Sequence, residues 1–432
     1  MIKLAMIGAG GYAYELIKRI WEIPDQIKLV AVSSDPLRKS TGRDECLVRG
    51  VAVYDDVDSL IENVKGKVDV IFIPSPIHTH FVVTKKCMDA GFDVFLEKPP
   101  IAAIQELDEL IRYAANLGKI VPVAFQYLHS DILQELKKRI VQNRYGPVKR
   151  VRAMAGWPRF DTYYTRSQWA GKLRVAGHWV LDGTINNPLA HMLADELYLA
   201  SATPGKMAQP ATVQAELYRG HDIESEDTSS LRIITDQGVE ILFNASLCSE
   251  AKMDPSVVIE CEKAKIEYVG FCKAVITPEK GEIEIINDTS EKRINMLRRL
   301  AKCYETGESY PVTLETCRPF TLTVNGAFDS CGLPHSISPQ YLTNFEQNEP
   351  NGDSVKTVIN DIDCTLKSAH ENGKLFSEVG AVWAKKSRVL NLRGYKAFPA
   401  NINIANLMSM PIPLREIPQR SASVIAPQRT SL

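Results

Sequence analysis

The first residues of the chain have the spacing of a turn that binds a dinucleotide. A short apolar run over 2–8 is followed by Gly8-x-Gly10-x-x-Ala13 and then by apolar residues at helical spacing. The first glycine of such a turn permits a tight bend, the second lets the backbone approach a pyrophosphate, and the small third residue lets helix and strand pack. The helix N-terminus offers free N–H groups to the phosphates. Gly8, Gly10, Gly11 and Ala13 are therefore candidate cofactor-binding residues, with a purely structural turn as the alternative.

A second group of polar residues follows the next apolar run, at 28–32. Asp35 stands at the distance from the glycines at which a carboxylate meets a ribose 2′-hydroxyl. Ser33, Ser34 and Arg38 beside it could instead hold a 2′-phosphate. The pattern is therefore compatible with NAD and with NADP, and Asp35-Pro36 could also simply open a turn.

Further candidate residues stand where three later predicted strands end, at 68–73, 92–96 and 120–125. Strands alternating with helices over the first 125 residues predict a doubly wound parallel sheet, in which ligands bind beyond the carboxyl ends of the strands. The candidates at these ends, all expected to contact the cofactor, are Ser75, Pro76, His80, Glu97, Lys98 and Gln126.

Several motifs in order give the chain a resemblance to the Gfo/Idh/MocA family of oxidoreductases. They are Pro76-x-x-x-His80, Ala90-Gly91, Glu97-Lys98-Pro99, Gly146-Pro147-Val148 and the segment Tyr310 to Arg318. The resemblance implies an NAD(P)-dependent dehydrogenase that acts on a sugar, a polyol or a related hydroxy compound. It also implies a Rossmann domain followed by a domain whose open sheet face commonly mediates oligomerisation.

The resemblance assigns the reacting groups to a lysine and to an Asp-x-x-x-His pair. Lys98 carries over directly, and its ammonium could stabilise a developing alkoxide. The Asp-x-x-x-His pair departs from the family pattern. If His191 is the acid/base, with a pKa expected near neutrality, Asn187 occupies the aspartate position. Asp182 is the available carboxylate, and a rival alignment puts Asp182 in the aspartate role with Asn186 where the histidine would be.

The segment 157–172 is rich in side chains that bind sugars. Aromatic rings stack on pyranose faces, while basic and hydroxyl groups bind hydroxyls or carboxylates. The candidate substrate-binding residues are Tyr164, Arg166, Trp169 and Lys172. Basic residues at 159, 166 and 172 fit an acidic or phosphorylated sugar, and the alternative is an interdomain lid whose aromatic residues serve packing.

Composition argues against several classes of protein. The 432 residues carry a formal net charge of −1, which argues against nucleic acid as the main partner. The nine cysteines are scattered without a C-x-x-C pair, so neither a metal site nor a disulfide framework is predicted. No apolar run is long enough for a membrane span. We therefore expect a cytoplasmic protein.

The predicted organisation is an α/β Rossmann domain (1–125), a domain with a large, mostly antiparallel open sheet (126–335), a helical extension (336–400) and a loosely held tail (401–432). Within the extension, apolar residues at helical spacing predict one helix over 354–372. A homodimer or homotetramer through the second sheet is expected.

The leading functional hypothesis is an NAD(P)-dependent oxidoreductase that transfers a hydride between nicotinamide and a sugar, polyol or sugar acid. Two alternatives stay open. One is a glycosidase that retains its cofactor and uses transient oxidation, and the other is a regulator that binds a dinucleotide or sugar without turnover.

Overall fold

The computed structural model describes residues 1–37, 39–347, 354–400 and 404. The N-terminal part contains a six-stranded parallel sheet in the order β3-β2-β1-β4-β5-β6. Its strands are β1 (Ile2–Ile7), β2 (Ile27–Ser33), β3 (Ala52–Tyr54), β4 (Val70–Ile73), β5 (Asp93–Glu97) and β6 (Val123–Ala124). This order is that of a doubly wound sheet, as predicted. Successive strands are added on one side of β1 up to β3 and on its other side from β4 onward, so the switch point of the topology lies between β1 and β4. The short edge strand β3 was not predicted, because three residues give too little pattern.

Helices connect these strands. They are α1 (Tyr12–Trp21), α2 (Thr41–Val48), α3 (Val57–Val64), α4 (His80–Asp89) and α5 (Ile104–Asn116). Helix α1 buries Ala13, Leu16, Ile17 and Ile20, which lie on one face at helical spacing. The apolar strands and these helix faces belong to one hydrophobic core, which fixes the strand ends where the candidate residues lie.

The second sheet is large and mostly antiparallel, in the order β16-β15-β14-β13-β7-β12-β11-β10-β17, with β20 also paired to β10. Its strands are β7 (Val148–Gly156), β10 (Pro210–Arg219), β11 (Thr228–Thr235), β12 (Glu240–Ser246), β13 (Met253–Cys261), β14 (Ala264–Val269), β15 (Lys273–Pro278), β16 (Glu284–Asn287), β17 (His335–Ser336) and β20 (Val389–Asn391). Two small pairs accompany it, β8 (Arg174–Val175) with β9 (His178–Trp179) and β18 (Leu342–Gln347) with β19 (Ser354–Ile359). The strands β7 and β12 run parallel to each other at its centre.

The remaining helices are α6 (Asp131–Val141), α7 (Asp161–Thr165), α8 (Ala190–Leu199), α9 (Lys292–Thr306), α10 (Leu314–Cys331) and α11 (Ile362–Asn372). None of the helices in the described ranges has the length and apolar character that a bilayer crossing needs.

Helix α10 fastens the second sheet to the N-terminal part. The Asn325 side chain donates to the carbonyl of Ala102 (2.7 Å) and accepts from the amide of Ile104 (2.8 Å). Arg318 binds both carboxylate oxygens of Asp108, at 2.7 and 2.8 Å. These bonds hold the segment that follows Lys98-Pro99 against α10.

The predicted helix over 354–372 is wrong for its first third. Residues 354–359 form β19, which pairs with β18, and a helix begins only at Ile362. Asp361 has a left-handed backbone conformation (φ 62°), which ends the strand and turns the chain into α11. The apolar residues 355, 358 and 359 thus belong to a strand rich in β-branched side chains, which helical spacing alone did not distinguish.

This extension covers part of the face that we expected to be open. Arg152 of β7 donates to the carbonyls of His370 and Glu371, and Arg232 of β11 binds both carboxylate oxygens of Glu378 at 2.7 Å. A second hydrophobic cluster lies between sheet and extension, and its largest members include Tyr218, Phe376 and Trp383. Over β7, β11 and β12 the face is therefore occupied by the chain's own residues, so it is not open there as the resemblance implied.

The extension also contacts the short helix α7. The Asp161 carboxylate accepts from the amide of Val355 at 2.9 Å, and Phe160 and Lys356 form an isolated β-bridge. The predicted loose tail, 401–432, lies outside the described residues except for Ile404, which is buried.

Substituting Phe376→Ala should weaken the docking of the extension, because this side chain is fully buried in the second cluster. We expect the free energy of unfolding in urea to fall by about 3–5 kcal/mol. The matched control is Phe345→Ala on β18, whose side chain is exposed, with an expected change within about 0.5 kcal/mol. Equal losses in the two variants would contradict the second core.

Candidate active site

The glycine turn between β1 and α1 has the geometry of a phosphate cradle. Gly8 adopts φ 109°, which favours glycine, and a Cβ added at Gly10 would lie 3.2 Å from the Ser40 hydroxyl. A Cβ at Gly8 would lie 3.6 Å from Cβ of Ala13, so the helix packs closely on the turn. Among the described residues, no side chain caps the N-terminus of α1, which leaves its first N–H groups for phosphate oxygens. The turn therefore fits a dinucleotide.

Helix α2 supports this turn through two residues that the motif does not include. The Ser40 hydroxyl donates to the carbonyl of Ala9 at 3.1 Å, and a Cβ at Gly42 would lie 1.9 Å from the same oxygen. Only glycine fits at position 42. Neither residue was predicted, because their contact with the turn joins segments about 30 residues apart. The one local signal for Ser40 is its residue type, since serine is favoured at the N-cap of a helix and its side chain accepts from the amide of Arg43.

The end of β2 carries the predicted ribose-binding group. The amide of Gly8 donates to the carbonyl of Ser33 (3.0 Å), so this strand end touches the glycine turn directly. One carboxylate oxygen of Asp35 accepts from the amide of Leu37 (2.9 Å). Arg43, which was not predicted, donates to the carbonyl of Ser34 and pairs with Asp55 at 3.2 Å. Arg38 lies outside the described residues.

The β4 end places Ser75 and Pro76 at the same sheet edge, but His80 has a different role from the one expected. Its ring is buried, with Nε2 2.8 Å from the carbonyl oxygen of Ser75 and Nδ1 3.0 Å from those of Pro99 and Pro100. His80 therefore ties the turn after β4 to the turn that contains Lys98. As both nitrogens face backbone oxygens, the prediction that it contacts the cofactor is not supported.

Glu97 is the last residue of β5, and Gln126 lies two residues beyond the end of β6. The Gln126 side-chain oxygen accepts from the Tyr12 hydroxyl at 2.5 Å, which links the start of α1 to the segment after β6. Glu97 is buried and accepts from the amide of Lys98, and burial raises its pKa to about 8. Its carboxyl group therefore supports the Lys98 turn from within the protein rather than lining the cleft.

The Lys98 ammonium reaches the second part of the chain. Its Nζ donates to the backbone carbonyl of Asn187 (2.9 Å) and to the Asn187 side-chain oxygen (3.2 Å). The Asn187 amide nitrogen in turn donates to Asp182 (2.7 Å), whose other oxygen accepts from the amide of Gly171 (2.7 Å). This chain orients the amide oxygen of Asn187 toward the lysine. Burial lowers the pKa of Lys98, and the nearby carboxylates Glu97 and Asp182 oppose that shift.

The rival alignment is disfavoured by Asn186, which is buried and donates its amide to the carbonyl of Val180 at 2.9 Å. Asn187, four residues before His191, is the residue in contact with the lysine. Burial raises the pKa of Asp182, while Arg166, the Gly171 amide and Asn187 oppose the shift.

His191 lies on the first turn of α8 between aromatic rings. Its ring meets Tyr127 edge-on at 4.6 Å and Phe125 at 5.7 Å between centroids. Burial, reinforced by the charge of Lys98, lowers the pKa of His191 well below its ordinary value. The expected pKa near neutrality is therefore wrong, and the imidazole is neutral at pH 7.

Two of the four predicted substrate residues are already engaged. Tyr164 is buried and packs on His221 at 4.8 Å between ring centroids, and Lys172 pairs with Glu224 at 2.5 Å. Arg166 lies 3.6 Å from Asp182, and its guanidinium stands 3.6 Å from the Tyr163 ring centroid and 5.0 Å from that of Trp169. Arg166 contacts Asp182, the last member of the hydrogen-bonded series Lys98–Asn187–Asp182, and Trp169 packs beside Arg166. Tyr164 instead packs against the buried His221.

Beneath α7 lies a buried cluster of His221, Asp227 and Cys248, whose ligand-type atoms lie within 4.8 Å of one another. The imidazole Nδ1 is 2.9 Å from the Asp227 carboxylate and 3.3 Å from the Cys248 sulfur. Asp227 also accepts from the amides of Gly220 and His221. These bonds fix the loop that carries Glu224.

Helix α8 carries two further buried carboxyl groups, on Asp195 and Glu196. Neither residue exposes any surface, and their four carboxyl oxygens have no hydrogen-bond partner within the described part of the chain. Burial raises the pKa of both groups well above the ordinary range.

Residues 2–125 match the family described as "Oxidoreductase family, NAD-binding Rossmann fold", which confirms the resemblance to Gfo/Idh/MocA proteins and the nicotinamide cofactor of this domain. Among curated relatives, the chain is 26% identical to D-glucoside 3-dehydrogenase of Escherichia coli, over 43% of this chain and 53% of that protein. It is likewise 26% identical to D-xylose dehydrogenase of Paenarthrobacter nicotinovorans, over 37% of this chain and 44% of that one. The chain thus spans about half the length of the curated relatives it matches.

Solved structures share the fold over most of the chain. The WlbA dehydrogenase from Bordetella pertussis, in complex with NADH and UDP-GlcNAcA, has a TM-score of 0.63 at 18% identity, covering 76% of this chain and 97% of that one. An inositol dehydrogenase homolog from Azotobacter vinelandii, complexed with NADH and myo-inositol, has a TM-score of 0.61 at 17% identity, covering 77% and 96%. At these identities the likeness establishes the fold alone.

Replacing Glu196 by Gln should flatten the dependence of stability on pH. Since the folded-state pKa lies above that of the unfolded chain, the folded protein holds the proton more tightly, and stability falls as pH rises past the unfolded value of about 4.3. One such group contributes at most about 1.4 kcal/mol per pH unit.

Urea unfolding of wild type and Glu196→Gln between pH 5 and pH 8 measures this slope. The control is Glu62→Gln, an exposed residue of α3, which should keep the wild-type slope. An unchanged slope in Glu196→Gln would show that this carboxyl is ionised in the folded protein.

Proposed function

We propose that this chain is an NAD(P)-dependent oxidoreductase that transfers a hydride between nicotinamide and a hydroxyl or carbonyl carbon of a sugar, polyol or sugar acid. The observation that carries the proposal is the contact of the Lys98 ammonium with Asn187. It lies at the strand ends of an NAD-binding Rossmann domain, where ligands of such sheets bind. Dehydrogenases of sugars among the relatives support the substrate class.

Lys98 would bind the reacting oxygen. An ammonium in a half-buried position stabilises negative charge that develops on an alkoxide more strongly than it would in water. Burial lowers the pKa of Lys98 and so makes its ammonium a stronger hydrogen-bond donor to that oxygen, while the single proton of the reaction would move through His191. Asn187 holds the lysine without adding charge, so the pKa of Lys98 is not raised by a carboxylate in direct contact.

His191 would accept or return a proton beside the lysine. Its neutral imidazole suits a base, and the rings of Phe125 and Tyr127 fix its plane. When bound, the nicotinamide supplies the hydride acceptor or donor. The residues that would hold the dinucleotide are Gly8, Gly10, Gly11 and Ala13 in the turn, Ser33 to Asp35 at β2, and Ser75 and Gln126 at later strand ends.

Self-association would use the part of the second sheet that the extension leaves uncovered. Val275 and Ile285 pair across β15 and β16 on the face opposite the buried Ile276, and Val269 of β14 lies on the same face. Ile285 is 55% exposed and Val269 40% exposed. We propose a homo-oligomer through these outer strands.

Substitution Lys98→Met should lower kcat by about 10²–10³-fold, because the donor to the developing alkoxide is lost. Dinucleotide affinity, measured by the fluorescence of bound NADH, should stay at the wild-type level. Activity is read from the absorbance of reduced nicotinamide in a screen of polyols, aldoses, aldonates and sugar phosphates.

Lys65→Met, at an exposed lysine after α3, is the matched control. Glycoside cleavage without net NADH would instead indicate a redox-assisted glycosidase. Dinucleotide binding without any turnover, unchanged in Lys98→Met, would indicate a regulator and overturn the proposal.

Substitution Ile285→Glu should shift the oligomer toward monomer, because a charge in place of this exposed apolar side chain must be desolvated on association. Sedimentation velocity over a range of protein concentrations measures the shift. A wild type that is monomeric throughout, or an Ile285→Glu variant that associates as wild type does, would contradict this interface.

A further inference from the structure

The cleft beside Lys98 holds more positive charge than its carboxylates balance. Lys172 is paired with Glu224 at 2.5 Å, and Arg166 lies 3.6 Å from Asp182. Across the described ranges, neither Lys98 nor Arg159 has a carboxylate within ion-pair distance. Two cations thus remain without an acidic partner in a region that sequence patterns assign to substrate.

Arg159 has a fixed backbone, and its guanidinium has no carboxylate partner among the described residues. Its amide donates to the carbonyl of Leu247 (2.9 Å), and its carbonyl lies 3.2 Å from Nε2 of the buried His221. Its guanidinium stands 5.0 Å from the Tyr163 ring centroid and 5.7 Å from that of Trp157, and its Nη1 donates to the carbonyl of Pro158 at 3.4 Å. A planar guanidinium held on aromatic rings loses little freedom when it binds a ligand.

Arg166 shares the Tyr163 ring and connects this pair to the reacting groups. The same ring lies 3.6 Å from the Arg166 guanidinium, which contacts Asp182. Asp182 binds Asn187, which in turn binds Lys98. Arg159 and Arg166 therefore lie around one aromatic ring, joined to the lysine by a short chain of side chains.

We infer that the substrate carries an anionic group, a carboxylate or a phosphate, that Arg159 and Arg166 bind beside Tyr163. The inference rests on the proposed function and narrows its substrate class to acidic or phosphorylated sugars. The Arg159 guanidinium presents paired N–H donors that match the oxygens of either anion, and Arg166, which is paired with Asp182, adds positive charge beside it. The excess positive charge would also raise the rate of association with an anionic ligand.

Steady-state kinetics with matched substrates test this inference. D-glucose is compared with D-glucuronate and D-gluconate for the carboxylate arm, and with D-glucose 6-phosphate and D-glucose 1-phosphate for the phosphate arm. We expect at least one anionic compound to exceed D-glucose in kcat/KM by about tenfold or more, with an advantage that shrinks as salt is added. The arm that shows the advantage identifies the anion.

The variant Arg159→Met should remove most of that advantage by raising KM for the anionic substrate, while kcat/KM for D-glucose should fall by a smaller factor. The control is Arg144→Met, at an arginine that also stands over a tyrosine ring (Tyr145, 5.6 Å) but is partnered by Glu284. Arg144→Met should behave as wild type. If Arg159→Met fails to fold, Arg159→Lys and the salt dependence of the wild type carry the same test.

A readout without turnover separates the two proposals. Calorimetric titration of the preferred anion into the NADH-loaded wild type should show binding that Arg159→Met weakens by about tenfold or more. Turnover of neutral and anionic sugars at equal kcat/KM, unaffected by Arg159→Met, would overturn the anion site and leave the proposed function standing. No turnover of any sugar would refute the proposed function, and retained anion binding would then show the arginine site by itself.

Discussion

A half-buried ammonium group requires acceptors, and the arrangement around Lys98 supplies them without a direct negative charge. Its hydrogen bonds go to a backbone carbonyl and an amide oxygen of one residue, Asn187. Asp182 stands one residue further away and orients that amide. The positive charge therefore stays available to a ligand oxygen, whereas a carboxylate in contact would have neutralised it.

Burial keeps two groups near this lysine, Glu97 and His191, neutral at pH 7. Burial raises the pKa of Glu97 to about 8, and burial with the charge of Lys98 lowers that of His191. Structural bonds then fix the lysine in place, since His80 ties the turns after β4 and β5 together and Asn325 of α10 holds the segment after the turn. The N-terminal part presents the ammonium, and the second part presents the amide and the imidazole.

Much of the N-terminal part could be predicted because its signals are local. The glycine turn, the apolar strands and the Glu97-Lys98-Pro99 motif each lie within a few residues, and parallel strands must bring their ends together. Long-range contacts were not predictable in the same way. Nothing near His80 in the chain shows that its ring nitrogens meet the carbonyls of Ser75, Pro99 and Pro100, and nothing near Gly42 shows its contact with Ala9. Helical spacing gave a wrong prediction for 354–372 because Asp361, in a left-handed conformation, divides this segment into a strand and a helix.

The contact between the extension and α7 connects the extension to the residues that we propose bind the substrate's anionic group. Strand β19 lies on the covered sheet face, yet its Val355 amide binds Asp161 on the short helix that also carries Tyr163, the ring shared by the two arginines. A five-residue helix has little stability of its own, so its position depends on what supports it. Insertions or substitutions in the β18–β19 hairpin would thus change the position of α7 and with it the selection of ligands. Ligand selection could therefore be altered without substituting any reacting group.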